Sequence, residues 1–151
     1  MTERQEWTDQ DHDAFGWHDN HVHGLRIRSE EHGTGELELD LDHILEWLPQ
    51  LGGSFRFRIA RAALTFHEVS DLRIVIDFKS AQAAIGPFSI HSIVRVTRGS
   101  GELGHPGYYS SWRIDVNWPA GEITFDAAGY TMSLRGSPIV SDSQWIVGRR
   151  P

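Results

Sequence analysis

The chain has 151 residues, with 14 Lys and Arg against 21 Asp and Glu, 9 His, no Cys, and 39% hydrophobic and 11% aromatic residues. This composition is that of one folded domain rather than a disordered segment. The lack of Cys excludes disulfides, thiolate metal ligands and a cysteine nucleophile. No apolar run approaches the roughly 18 residues of a membrane span. The opening Met1–Glu6 has neither the basic nor the apolar region of a signal peptide, so a soluble, cytoplasmic protein is expected.

The charge is unevenly divided. Residues 1–46 hold 13 acids and 3 bases, a formal −10, whereas residues 47–151 hold 8 acids and 11 bases, a formal +3. An acidic first third repels phosphate backbones and excludes nucleic acid as the expected partner; a basic protein or a cation suits it better. The same charge also serves solubility alone.

In chain order, residues 1–13 are polar, acidic and without periodicity, and are expected to be a flexible tail. A single β domain is expected over 14–147, with 148–151 as a C-terminal tail. Period-two alternation predicts a strand over His21–Arg28, with His21, His23, Leu25 and Ile27 on one face. After a turn at His32–Gly35, Glu36–Asp42 alternates Leu37, Leu39 and Leu41 inward with Glu36, Glu38, Asp40 and Asp42 outward. Ile44–Leu48 is a short apolar stretch ended by Pro49.

Further strands are predicted around Phe55–Ile59, Leu64–Phe66, Leu72–Phe78, Phe88–Val96, Trp112–Trp118, Ile123–Phe125 and Tyr130–Leu134. Pro119–Gly121 is read as a turn and Ala127–Gly129 as a hairpin loop with Gly129 left-handed. Ala81–Ala84 is either one helical turn or a loop, and Gly99–Gly107 is a long glycine-rich connection. About nine strands with at most one or two short helical turns predict an all-β domain. Either an antiparallel β-barrel or a two-sheet β-sandwich satisfies the pattern.

The densest polar cluster is Trp17-His18-Asp19-Asn20-His21-Val22-His23-Gly24. A strand starting at Asp19 places Asp19, His21 and His23 on one face. If the second strand continues past Asp42, His43 is inward and near His23 or Leu25. His21, His23 and His43, with Asp19 as ligand or proton acceptor, would then suit a divalent transition metal, zinc or iron. The alternatives are an Asx turn at Asp19 or Asn20, and a helical turn begun by Asp42 that would remove His43 from the inner face. No Gly-x-Ser-x-Gly or phosphate-loop pattern is present.

The His21-Val22-His23 pair resembles the cupin metal motif, but Glu30 and Glu31 lie too far downstream for the cupin glutamate and no second motif follows. Trp17-His18-Asp19-Asn20 together with Leu39-Asp40-Leu41-Asp42-His43-Ile44-Leu45-Glu46-Trp47 resembles a family of small, uncharacterised bacterial β-rich proteins. The aromatic-His-Asp opening is similar to that of some immunity proteins that neutralise polymorphic toxins. That resemblance implies a non-enzymatic, protein-binding module, in which Glu36, Glu38, Asp40 and Asp42 meet a basic partner. A metal-dependent enzyme built on the His cluster is the alternative. A third reading is a carrier of an apolar ligand between Phe55, Phe57, Trp112 and Trp118.

Overall fold

The computed structural model describes residues 3–29, 35–79, 84–97 and 109–146. Its elements are β1 (Glu6–Thr8), a 3-10 turn (Asp9–Ala14), β2 (His21–Ser29), β3 (Gly35–Pro49), β4 (Phe55–Ile76), β5 (Phe88–Thr97), β6 (Ser110–Trp118), β7 (Ala120–Ala127), β8 (Gly129–Leu134) and β9 (Ile139–Ser141). All strand pairings are antiparallel. The fold is all-β, as the alternating pattern predicts, and no helix among the described residues is long and apolar enough to cross a membrane. The turn expected at His32–Gly35, the Ala81–Ala84 segment and the Gly99–Gly107 loop lie wholly or largely outside the described residues.

The organising element is β4. The sequence pattern suggests three strands between Phe55 and Phe78, but the chain runs as one strand of 22 residues. One edge pairs β3 from Phe55 to Val69. The other edge pairs β9, then β8, then β7 in succession. A register shift between Ser70 and Arg73, with Glu68 and Asp71 at positive φ, bends the strand rather than ending it. Strand neighbours follow β4-β3-β2-β5-β6-β7, and β7 pairs β4, so the pairings return to their origin.

Ala127–Gly129 is not a hairpin loop. β7 and β8 lie end to end along the same edge of β4, with Ala128 N donating to His67 O between them. Gly129 is a glycine for a steric reason: a Cβ there would collide with the Asp9 carboxylate. Asp9 in turn pairs Arg95 Nη1 at 3.0 Å and accepts from Tyr130 N at 3.4 Å.

Those contacts belong to the segment expected to be a tail. Residues 6–8 pair β8, and Thr8 caps the 3-10 turn in a capping box with Asp11. His12 then reaches inward, its Nδ1 2.8 Å from the Tyr130 hydroxyl and its Nε2 3.1 Å from Ile93 O. Trp7 and Phe15 pack on the main core, which contains Trp17, Leu37, Leu39, Leu41, Phe66, Trp112, Ile114, Phe125 and Tyr130. Periodicity could not reveal this segment, because β1 is three residues long and the turn is stabilised by side-chain bonds to distant strands.

Gly129→Ala is expected to lower stability by about 1–3 kcal/mol through this overpacking. Chemical denaturation of Gly129→Ala, Asp9→Ala and the double variant checks the mechanism: the two costs should be non-additive, because removing the Asp9 carboxylate makes room for the new methyl.

Candidate functional site

The polar cluster of residues 17–23 sits where the beginning of β2 meets β3 and β5. Asp19 adopts φ 64°, a left-handed conformation that Asp tolerates better than most residues. The chain there forms a two-bond bridge to β5: Asp19 N donates to Ile90 O at 2.8 Å and Ile90 N donates to Asn20 O at 2.9 Å. β2 then pairs β5 only through His21 and Val22 before diverging from it.

Asn20 is completely buried. Its Oδ1 accepts from Ile44 N at 3.1 Å, and its Nδ2 lies 2.9 Å from His43 Nδ1. The β2–β3 ladder begins at His21 paired with Asp42, so the Asn20 side chain takes the next backbone donor beyond the ladder's end. Since the amide nitrogen only donates, His43 Nδ1 accepts and the imidazole carries its proton on Nε2. His43 is inward as expected, 4% exposed, with its ring against Trp7, Phe15 and Trp17. Burial holds its pKa down at about 4.

His21 and His23 do not follow it inward. Val22 is the core residue, and a bulge between Val22 and Gly24 restores Leu25 to the core side opposite Leu39. Ile27, also expected inward, is 63% exposed. His23 Nε2 instead lies 2.7 Å from Asp42 Oδ2, on the face of β3 opposite His43. Asp42 is outward by parity yet fully buried, because the C-terminal segment covers it and Ile146 N donates to its Oδ2 at 2.8 Å. His21 Nδ1 lies 2.9 Å from Asp19 O, with the ring 5.2 Å from that of Trp145. Burial again lowers the His21 pKa, only partly offset by the Asp19 carbonyl.

The three imidazoles proposed as one metal centre therefore lie on two faces of the sheet. Among the described residues no three His, Asp or Glu side chains are grouped to hold a metal ion. The remaining proposed ligand, Asp19, accepts from Gln144 Nε2 at 2.8 Å and from Asn117 Nδ2 at 3.4 Å, and its Oδ2 lies 3.1 Å from His18 Nδ1. Sequence reasoning missed Asn20 as a buried amide, His18, and the capping residues Gln144–Ile146. Nothing local marks residues more than a hundred positions away as neighbours of Asp19 and Asp42.

The acidic stripe of β3 is largely engaged within the fold. Glu36 Oε2 lies 2.8 Å from His67 Nδ1, and Glu38 accepts from Arg28 and from Arg135, each at 2.9 Å. Asp42 is held by His23 and Ile146, and Asp40 also has an interaction of its own. These pairings bring together a cross-strand neighbour on β2 and groups from β4 and the segment after β8.

Exposed aromatics gather instead at the β3–β4 hairpin. A register shift between Ile44 and Glu46 moves Trp47 to the outer face, opposite Phe57. Its ring meets Phe55 at 5.6 Å, Phe57 at 5.0 Å and His18 at 6.4 Å. Trp47 is 39% and Phe55 44% exposed, Leu51 at the hairpin tip is fully exposed, and Ile139 and Val140 of β9 lie beside Phe57–Ile59 and are also exposed. Of the four rings expected to line an apolar cavity, only Trp112 is in the main core; Phe57 belongs to a separate cluster with Ile44 and Ile59, and Phe55 and Trp118 are exposed.

The burial of His43 has a consequence for acid stability. In the unfolded chain its imidazole titrates near the ordinary 6.5, whereas in the fold it resists protonation until about pH 4. The unfolded state therefore binds more protons between those values. Stability is fully present above pH 6.5 and falls on acidification toward pH 4, by up to about 3 kcal/mol from this group. His12 and His21, whose pKa values burial also lowers, add in the same direction. Urea denaturation at pH 7 and pH 4.5 should show this loss, and a His43→Gln variant should show a shallower pH dependence whatever its absolute stability.

Compared with known proteins, the chain matches no family model, no curated protein and no solved structure.

Proposed function

We propose that this protein is a non-enzymatic protein-binding module whose contact surface is the aromatic end of the β3–β4 hairpin, with an immunity-like role as an inhibitor of a basic protein. The observation that carries the reading is the half-exposed Trp47–Phe55 ring pair on the paired strands β3 and β4, with Leu51 exposed at the hairpin tip and Ile139 of β9 exposed opposite Ile59. Rigid aromatic side chains lose little conformational freedom on contact and dominate the centres of protein interfaces. The net charge of −7, concentrated in residues 1–46, favours a basic partner and would speed its approach. Glu46 precedes Trp47 and Asp142 follows β9; both are exposed, and Asp142 accepts from Arg56 Nε at 2.8 Å. In this reading the carboxylates of Glu36, Glu38, Asp40 and Asp42 contribute to the overall field and to the fold, while the aromatic end makes the contact.

A second reading, an enzyme, has one observation in its favour: the buried Asp42 carboxylate on His23 Nε2. A carboxylate so placed fixes an imidazole's orientation and tautomer, as a general base requires. The aromatic packing around Trp112, Phe66 and Tyr130, with ring centroids 5.3–5.5 Å apart, gives the apolar-carrier reading no comparable support.

The test is affinity capture from the source organism with wild type, a Trp47→Ser/Phe55→Ser variant and a Glu36→Gln/Glu38→Gln variant, each checked for folding by circular dichroism. The reading predicts a basic protein retained by wild type and by the acidic-stripe variant, and lost at least tenfold by the aromatic variant. Capture that ignores the aromatic substitutions, or self-association through the patch in sedimentation, would contradict it.

A further inference from the structure

The two-bond bridge between residues 19–20 and Ile90 has a second effect, independent of any protein partner. His18 precedes Asp19, and His91 follows Ile90, so the bridge sets two imidazoles side by side at the surface. Their ring centroids are 5.4 Å apart and the planes meet at 73°. Both residues are exposed. Neither belongs to the His21, His23 and His43 set that the spacing in the sequence suggests.

The separation has chemical meaning. A metal about 2.1 Å from each coordinating nitrogen lies about 3 Å from each ring centre, so two imidazoles at a tetrahedral angle have centroids about 5 Å apart. A carboxylate also stands beside the His18 ring: Asp19 Oδ2 is 3.1 Å from Nδ1. The negative charge beside Nδ1 favours the tautomer that carries its proton there, which leaves the Nε2 lone pair for a ligand. The carboxylate is itself fixed, by Gln144 Nε2 at 2.8 Å, by Asn117 Nδ2 at 3.4 Å, and by the left-handed backbone of Asp19. Gln144 comes from the C-terminal segment and Asn117 from the end of β6, so three distant parts of the chain converge on the carboxylate beside His18.

We propose that His18 and His91 form a surface site for a divalent transition-metal ion, with Asp19 as the positioning residue. Two imidazoles suit zinc, copper or nickel and discriminate against magnesium and calcium, which require oxygen ligands. Two protein ligands leave the other coordination positions to water or to a donor atom from another molecule. The site thus differs from a closed structural zinc site, which has four protein ligands.

The experiment is a titration of Zn²⁺ into tag-free, chelator-stripped full-length protein, followed by calorimetry and by the imidazole signals in NMR. One zinc per chain is expected, with the His18 and His91 signals shifting together while His67 remains unmoved. His18→Ala and His91→Ala, both at exposed positions, should each abolish saturable binding. Asp19→Asn, which retains a residue tolerant of the left-handed backbone, should weaken it about 10- to 100-fold. Mg²⁺ should produce no shift. Absence of saturable zinc binding, or binding that persists in both alanine variants while their melting curves remain cooperative, would overturn the proposal.

Discussion

The arrangement at this end of the molecule depends on one buried amide. Asn20 is fully enclosed, and its backbone and side chain together make four hydrogen bonds: to Trp17 O, from Ile90 N, from Ile44 N and to His43 Nδ1. These join the segment before β2 to both β3 and β5 at the point where β2 has only two residues of pairing with β5. An apolar residue at position 20 would leave the Ile44 donor and the His43 ring nitrogen buried without partners, at about 1–3 kcal/mol each. The constraint is one of identity as well as polarity, because one group must accept from a backbone N–H while the adjacent group donates to an imidazole.

From that amide the two sides of the sheet acquire different chemistry. On the inner side His43 becomes a neutral, aromatic-packed core residue. On the outer side Asp19 and His21 are turned toward the C-terminal segment, where Gln144 and Trp145 meet them. The His23–Asp42 pair is shielded by the same segment through Ile146 N. Asp42 is a charged group removed from water, and its hydrogen bonds from His23 and Ile146 are what make that burial tolerable. Residues 139–146 therefore function as a clasp, anchored by β9 on β4 at one end and by Asp42 at the other.

The strands were largely legible in the sequence because period-two alternation is imposed by burial of one face, and β2, β3, β5, β6 and β8 carry it clearly. What was not legible followed from breaks in that parity. The bulge after Val22 turns His21 and His23 outward, away from the His43 they were to join, and the register shift after Ile44 turns Trp47 to the outer face. The agreement on about nine strands also conceals a different inventory: three predicted strands merge into β4, while alternation marks neither β1 nor β9. Each of those is three residues long and exists through pairing with a distant strand rather than through its own pattern. The candidate site was half legible. Trp17–His23 and Asp42–His43 do meet, but the partners that decide their chemistry, Asn117, Gln144 and Ile146, lie about a hundred residues or more from the motif they hold.

The most direct measurement of this account is native-state hydrogen exchange at the Ile44 amide, whose acceptor is the Asn20 side chain rather than a strand partner. If the buried amide secures this end of the fold, Ile44 should exchange only with global unfolding, at the same free energy as the core amides of β4 such as Leu64. Rapid exchange at Ile44 while Leu64 stays protected would show that the Asn20 bond is not held in solution, and the arrangement built on it would fail.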